Sequence, residues 1–380
     1  MGFERVSALL RDWVARGELP CASYAVLRGS EVVTRDCIGW ADREAGIPLR
    51  PDHLLRAFSN TKLVTSCAAL QLLQQGRFAL DDPIGEYIPQ LAQLRVLRAG
   101  ATDIHDTEPA REPVRIRHLL THTAGFTYAF TRPDAPIAKA YLAARVSDPA
   151  LDLSQMMDAL ASVPLVFQPG SAWNYSVAID VVGRLVEVLG GERLDAYLQR
   201  HVFDPLGMQD TFFFVPPGKQ DRLVAMYMGS QGGRLRRVDQ LPYADAYRKP
   251  VARLNPGGGL VTSLGDYTTL VRTLLGGGAP LLGAAMLPLV TQNQLPAGMW
   301  IEDPVQEGRG HSFAASVTVH PNAADPGSEA GDVQWGGLAG TKWMFSPRED
   351  FGAVLMTQRY MGFDLPYWGE FKQAVRAALS

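Results

Sequence analysis

At 380 residues, with 47% apolar and 20% charged side chains, the chain can bury a large core and has the balance of a globular protein. A formal net charge of −3, with no basic run of the kind that tracks a phosphate backbone, argues against a nucleic-acid partner. No apolar stretch approaches the length that spans a bilayer, so no membrane partner is expected either.

The first residues, Met1 to Trp13, place charges at helical spacing, as an amphipathic helix does and a secretion signal does not. Residues 22–28 and 31–37 are β-rich runs around Gly29-Ser30 and read as a hairpin. A helix should open at Ser59 and run to Gln75, with Gly76 as its stop. Asp81-Asp82-Pro83 restarts the chain.

From 83 to 214 the signals are mainly helical with long loops. Residues 102–113 are polar and irregular, 115–120 form a short helix ended by Thr123-Ala124-Gly125, and 177–189 repeat apolar residues at helical period before Gly190-Gly191. After Gly257-Gly258-Gly259 β character returns, with strands expected over 313–320, 334–343 and 352–358, and a closing helix over 367–379. Strands early, helices in the middle and strands late predict an α/β domain built by 1–82 and 215–380, with a helical domain, 83–214, inserted.

Cys21, Cys37 and Cys67 cannot all pair and show no metal-ligand spacing, which fits a reducing cytoplasm and implies neither metal nor other cofactor. Cys67 falls on the apolar face of the Ser59 helix as a small buried hydrophobe.

Ser59-Asn60-Thr61-Lys62 is the stretch with the most chemical content. It sets a hydroxyl and an amine three positions apart, on one helix face, about 5–6 Å between Cβ atoms. Serine is a weak nucleophile until a neighbouring base takes its proton, and a partly desolvated lysine can be that base. Arginines outnumber lysines 30 to 6, and Lys62 alone among the six has a serine three residues before it. The bland alternative is a capping serine and a solvated lysine. The flanking Leu54, Leu55, Phe58, Leu63 and Val64 argue against it, and so does a cation in the first turn, at the positive end of the helix dipole.

Acyl transfer through a serine also needs a proton donor for the leaving group and N–H groups aimed at the developing oxyanion. Tyr175, in the Pro/Gly-rich run from Gln168 to Ser176, offers a phenol. Residues 334–343 form a predicted strand crowded with glycine, where another group can approach the backbone closely. Each segment alone also has a structural reading, as a packed aromatic and as a bulge or turn.

Together, Ser59-Asn60-Thr61-Lys62, Tyr175-Ser176-Val177 and Trp335-Gly336-Gly337 resemble the three motifs of the serine β-lactamase and penicillin-binding-protein superfamily. The chain is most similar to the family VIII carboxylesterases related to class C β-lactamases. Residues Ile116 to Gly125 and the Leu80-Asp81-Asp82-Pro83-Ile84 run fit the same pattern, in the same order.

The resemblance implies an antiparallel sheet flanked by helices, an inserted helical domain, and an active site in the cleft between them. Ser59 would be acylated, Lys62 and Tyr175 would share the proton work, with either as the base, and the N–H groups of Ser59 and Leu338 would form the oxyanion hole. Trp335, Gly336, Gly337, Tyr128 and Val177 would line the substrate.

Two departures set the expected substrate. Val177 stands where lactamases of this class carry asparagine, and Trp335 where they carry lysine. Trp335 offers a large apolar face where a carboxylate would need a cation, so neutral short-chain or aryl esters are favoured over penicillins. Phe126, Tyr128, Phe130, Trp173 and Trp343 lie near the motifs as candidate pocket or core residues.

Rival readings are weaker. No Gly-x-Ser-x-Gly occurs, which removes the main sign of a Ser-His-Asp hydrolase. His118 and His122 lie one turn apart without a His-Glu-x-x-His context, so structural histidines are expected, as at His311 and His320. A β-lactamase, peptidase or amidase uses the same machinery. A non-catalytic binding domain would not need an activated hydroxyl.

Overall fold

The structure, a computed structural model, describes residues 2–131, 133–229, 234–238, 246–301, 308–362 and 365–380. Its main sheet is assembled from both chain ends. The strands are β1 (Cys21–Arg28), β2 (Glu31–Asp42), β3 (Ile47–Pro48), β4 (Arg309–His311), β5 (Ser316–Thr318), β6 (Val333–Gly336), β7 (Lys342–Ser346) and β8 (Phe351–Met356). They lie in the order β4-β5-β6-β7-β8-β1-β2-β3, with every pairing antiparallel. β1 pairs with β8 as well as with its hairpin partner, in a register that sets Tyr24 opposite Leu355 and Val26 opposite Ala353.

Helices α1 (Glu4–Ala15), α2 (Thr61–Gln74), α3 (Ala178–Gly190), α4 (Leu264–Leu275) and α5 (Tyr367–Leu379) frame the sheet and the site. Because strand side chains alternate between faces, β1 reads as apolar on both. Tyr24 and Val26 join Val6, Leu10 and Trp13 of α1 and Phe371 and Val375 of α5. Ala25 and Leu27 face the opposite way, into a cluster with Tyr267, Leu270 and Val271 of α4. That second cluster continues without a break through α2, α3 and the helix Leu153–Ala161.

α2 is buried nearly all round, with Lys62, Leu63, Val64, Cys67, Ala68, Leu70 and Leu72 all covered, as a helix at the centre of a fold must be. It packs against α3. The short strand Leu54–Arg56 ahead of it pairs with Val261–Ser263. This brings the loop of residues 255–260 alongside the first turns of α2.

Several expectations need correction. Residues 334–343 are not one strand: β6 ends at Gly336, a turn follows, and β7 starts at Lys342. The turn is closed by the Gly337 N–H donating to the Thr341 carbonyl and the Gly340 N–H donating to the Gly337 carbonyl. Of 313–320 only Ser316–Thr318 is strand, since the Phe313 N–H turns away to the Leu289 carbonyl. The polar stretch 102–113 contains the strand Thr107–Pro109, paired with Arg95–Leu97. The Ser59 helix opens with a 3-10 turn, Phe58–Asn60, and becomes α-helical at Thr61.

Candidate active site

Ser59 sits in that tight turn, immediately after a residue in an unusual conformation. Phe58 has φ +46°, in the left-handed region, which costs a bulky side chain about 1–3 kcal/mol and persists only where the surroundings hold it. Its ring packs against Tyr247 and Tyr360, with centroids 6.5 and 6.3 Å away. The backbone ahead of Ser59 is fastened on both sides. The Ala57 N–H donates to the Leu260 carbonyl at 2.9 Å, and the Thr341 hydroxyl donates to the Ala57 carbonyl at 3.2 Å. Gly337 is required here, because a Cβ at that position would collide with the Ala57 carbonyl oxygen and the Thr341 hydroxyl.

Lys62, in the first turn of α2, is only 3% exposed. Its Nζ donates to the Gly257 carbonyl at 2.6 Å and lies 3.4 Å from Ser59 Oγ. The ammonium also sits 4.6 Å from the centre of the Tyr175 ring and 5.4 Å from that of Tyr128, which places it against two negative π faces. Among the described residues it forms no ion pair with a carboxylate. A carbonyl, a hydroxyl and two rings hold it instead.

Tyr175 completes the group, its hydroxyl donating to Ser59 Oγ at 2.6 Å. The loop that carries it is tied to the chain just after the helix Ile116–Leu120. The Asn174 N–H donates to the His122 carbonyl at 2.9 Å, Asn174 Nδ2 to the Phe126 carbonyl at 2.7 Å, and the Gly170 N–H to the Thr123 carbonyl at 2.8 Å. The Tyr175 ring then packs among His122 at 5.0 Å, Tyr128 at 5.2 Å, Trp335 at 5.5 Å and Trp173 at 6.3 Å. Hydroxyl, amine and phenol from positions 59, 62 and 175 therefore meet at one oxygen.

The remaining candidates fall on two sides of the protein surface. Trp335 and Gly336 are half-buried, and β6 runs past its neighbour here, since β5 begins at Ser316, opposite Gln334. Leu338 follows in the turn, and its N–H has no partner among the described residues. Tyr128 is half-buried and stacked on the exposed Phe130. Val177, by contrast, is 1% exposed inside the core at the start of α3 and offers no accessible surface. Phe126 and Trp343 are core residues as well.

His118 and His122 do not converge. His118 Nδ1 accepts from the Arg115 N–H, and burial lowers its pKa to about 4. Among the described residues no group of acidic, histidine or cysteine side chains is placed to hold a metal.

Four residues here carried no sequence signal for the site. His122, at φ +58°, is buried behind Tyr175 with Nδ1 3.2 Å from Ser176 Oγ, and burial holds its pKa well below the usual value. His311 lies 5.4 Å from His122 and 5.5 Å from Trp335, hydrogen-bonds the Ser312 carbonyl, and is lowered to about 4 by burial. Both rings are thus neutral at neutral pH. Asp180, on α3, is buried and faces Lys62, and Gly257 supplies the lysine's carbonyl partner. The triple glycine at 257–259 was the one visible hint.

A family model for beta-lactamase matches residues 6–373. Protein Rv1367c of Mycobacterium tuberculosis is 33% identical over 373 residues, covering 94% of this chain and 90% of its own. Esterase EstB of Burkholderia gladioli is 30% identical over 391 residues, with 98% and 95% covered. Among solved structures, EstCE1, a hydrolase with promiscuous acyltransferase activity, superposes with a TM-score of 0.86 at 26% identity, covering 98% of this chain and 97% of its own. With a match across nearly the whole sequence, and the Ser59 turn, the tyrosine loop and the glycine-rich turn meeting in space, the chain belongs to the beta-lactamase family.

Proposed function

We propose that the protein is a carboxylesterase that cleaves neutral short-chain or aryl esters through an acyl-enzyme on Ser59. The observation that carries this reading is the contact of Ser59 Oγ with both the Tyr175 hydroxyl, at 2.6 Å, and the Lys62 ammonium nitrogen, at 3.4 Å. The name of EstB, an esterase, supports it.

In the proposed reaction Ser59 Oγ attacks the ester carbonyl carbon while its proton passes to the Lys62–Tyr175 pair. The negative charge that develops on the carbonyl oxygen is met by the N–H groups of Ser59 and Leu338. Collapse expels the alcohol, which takes the proton from Tyr175. Water then gives a proton to the pair as it attacks the acyl-serine, and the pair returns that proton to Ser59 Oγ as its bond to the acyl carbon breaks and the carboxylic acid leaves. The cleft lies between the sheet-bearing part, 1–82 with 215–380, and the helical part, 83–214. No cofactor enters the scheme, and the reducing-compartment chemistry suggested by three unpaired cysteines fits a cytoplasmic enzyme.

Trp335 supports the preference for neutral substrates. Its indole packs on Tyr175 and His311 and presents an apolar face to the open edge of β6. The indole itself offers a substrate carboxylate no charge to replace the water it would lose. The resemblance to EstCE1, with its acyltransferase side activity, favours a second reading in which an alcohol replaces water in the last step.

The test compares turnover of p-nitrophenyl acetate and butyrate with that of nitrocefin, in the protein and in Ser59→Ala. Ester turnover that exceeds nitrocefin turnover and vanishes in the alanine variant is the expected result. Faster nitrocefin hydrolysis would overturn the substrate assignment. Adding a primary alcohol and finding its ester among the products would establish the transferase reading.

A further inference from the structure

The mechanism above leaves unused a buried acid beside Lys62. Asp180 lies on α3, five residues after Tyr175, and is 1% exposed. A carboxylate so deep is expensive unless something nearby needs its charge. One of its oxygens, Oδ1, has no hydrogen-bond partner among the described residues.

The other oxygen points to the loop that grips α2. That loop is fastened at three places: the Thr65 hydroxyl donates to the Pro256 carbonyl at 2.8 Å, Lys62 Nζ to the Gly257 carbonyl at 2.6 Å, and the Leu260 N–H to the Thr61 hydroxyl at 3.1 Å. A Cβ built on Gly257 would lie 2.8 Å from Asp180 Oδ2, 3.0 Å from the Tyr128 hydroxyl and 3.3 Å from Lys62 Nζ. Three polar groups thus converge on the space a side chain would fill. Gly257 presents its N–H, in the amide it shares with Pro256, to the carboxylate and its carbonyl, in the amide it shares with Gly258, to the ammonium, so the glycine lies between the two charges.

Building on the assignment of Lys62 to the proton chemistry, we propose that Asp180 is a positioning residue for Lys62, acting through Gly257. An ionised Asp180 holds the Gly257 N–H and so fixes the residue whose carbonyl receives the ammonium. The carbonyl then holds the ammonium 3.4 Å from Ser59 Oγ while leaving one of its protons free for the reaction. A direct carboxylate bond would hold the amine more tightly and occupy that proton. With Gly257 between the two charges, Asp180 balances the ammonium without taking that proton.

The groups facing Asp180 are Lys62 from α2, Arg253 and the Gly257 N–H from the loop ahead of Val261, and Tyr128 from the loop after the helix Ile116–Leu120. Burial raises the Asp180 pKa above the usual carboxylate value, while Arg253, Lys62 and the Gly257 N–H oppose the rise. Positioning should therefore fail as pH falls through that raised value, earlier than an ordinary aspartate would allow.

The experiment measures the pH dependence of Ser59 labelling by a fluorophosphonate in the full-length protein, in Asp180→Asn, Asp180→Glu, Gly257→Ala and Ser59→Ala, with the melting temperature of each. Asp180→Asn is expected to slow labelling about 10- to 100-fold, as misplacing a reacting group does, and to remove the acid limb that its titration creates. Asp180→Glu should restore part of the rate and keep a displaced limb. If the asparagine variant does not fold, Gly257→Ala, which pushes on the same two side chains, should lower the rate and shift the limb. A wild-type rate and limb in Asp180→Asn, or a slower rate with an unmoved limb and no rescue by glutamate, would overturn the proposal. Undiminished labelling in Ser59→Ala would instead overturn the reading of the nucleophile on which the proposal rests.

Discussion

Two lysines in this protein are almost fully buried, and they are buried in opposite ways. Lys372, on α5, is 1% exposed and bonds directly to Asp325 Oδ1 at 2.5 Å, to the Ser328 hydroxyl and to Gln334 Oε1 at 3.4 Å. Arg309 pairs with the same carboxylate. Lys62, 3% exposed, has a hydroxyl, a carbonyl and two aromatic faces, with its carboxylate on the far side of Gly257. A buried cation that serves the fold is matched by a touching anion, because an unmatched charge is costly. A buried cation that serves chemistry is left partly unmatched, so that it still has a proton to exchange. Burial is common to both; what separates them is the nature of the nearest partner.

Substitution is the sharpest way to break that contrast. Lys62→Ala should cut kcat/KM on p-nitrophenyl butyrate at least about a thousandfold while moving the melting temperature less than loss of a directly paired lysine does, since no carboxylate touches Lys62. Adding Tyr175→Phe should cost little more, because the two side chains act as a unit. Additive losses would separate them. Lys372→Met should do the reverse, costing about 2–3 kcal/mol in a denaturant titration, with kcat per folded molecule unchanged. An equal loss of activity there would mean that the two lysines are not distinct in kind.

The smallest effect concerns acid. His118 stays neutral in the fold down to about pH 4, whereas the unfolded chain takes up that proton near its ordinary value of 6.5. Between these values the unfolded state binds more protons, so stability should fall as pH drops from about 6.5 toward 4. His118→Gln, away from the nucleophile, should make that decline shallower without changing turnover at neutral pH. An identical pH dependence in the variant would show that His118 does not contribute to it.

Much of this was legible in the residues. The β1–β2 hairpin followed from its Gly-containing turn, α5 from apolar periodicity over Tyr367–Leu379, and the Ser59–Lys62 pair from the three-residue spacing on one helix. These are local signals, read within about ten residues. Asp180 and Gly257 were not legible as partners of Lys62. Asp180 sits in a run of valines and isoleucines that only announces a buried helix, and Gly257 is 195 residues from Lys62 in sequence. No periodicity encodes a contact that only the packing of α2 on α3 creates. The run Gln334–Trp343 misled for the opposite reason. Its glycines were read as a strand open to close approach, but Gly337 and Gly340 instead make a turn that bulkier residues would forbid. His311, too, came to the site through the sheet, by way of β4.

The most direct measurement is rapid acid quench of the protein turning over p-nitrophenyl butyrate, followed by intact mass and peptide mapping. A single butyryl group on the peptide that contains Ser59, absent from Ser59→Ala and accumulating when Lys62 is replaced after acylation has been forced with excess ester, is what the account predicts. Turnover with no acyl-protein at any quench time, or an acyl group that maps to another residue and survives in Ser59→Ala, would contradict it.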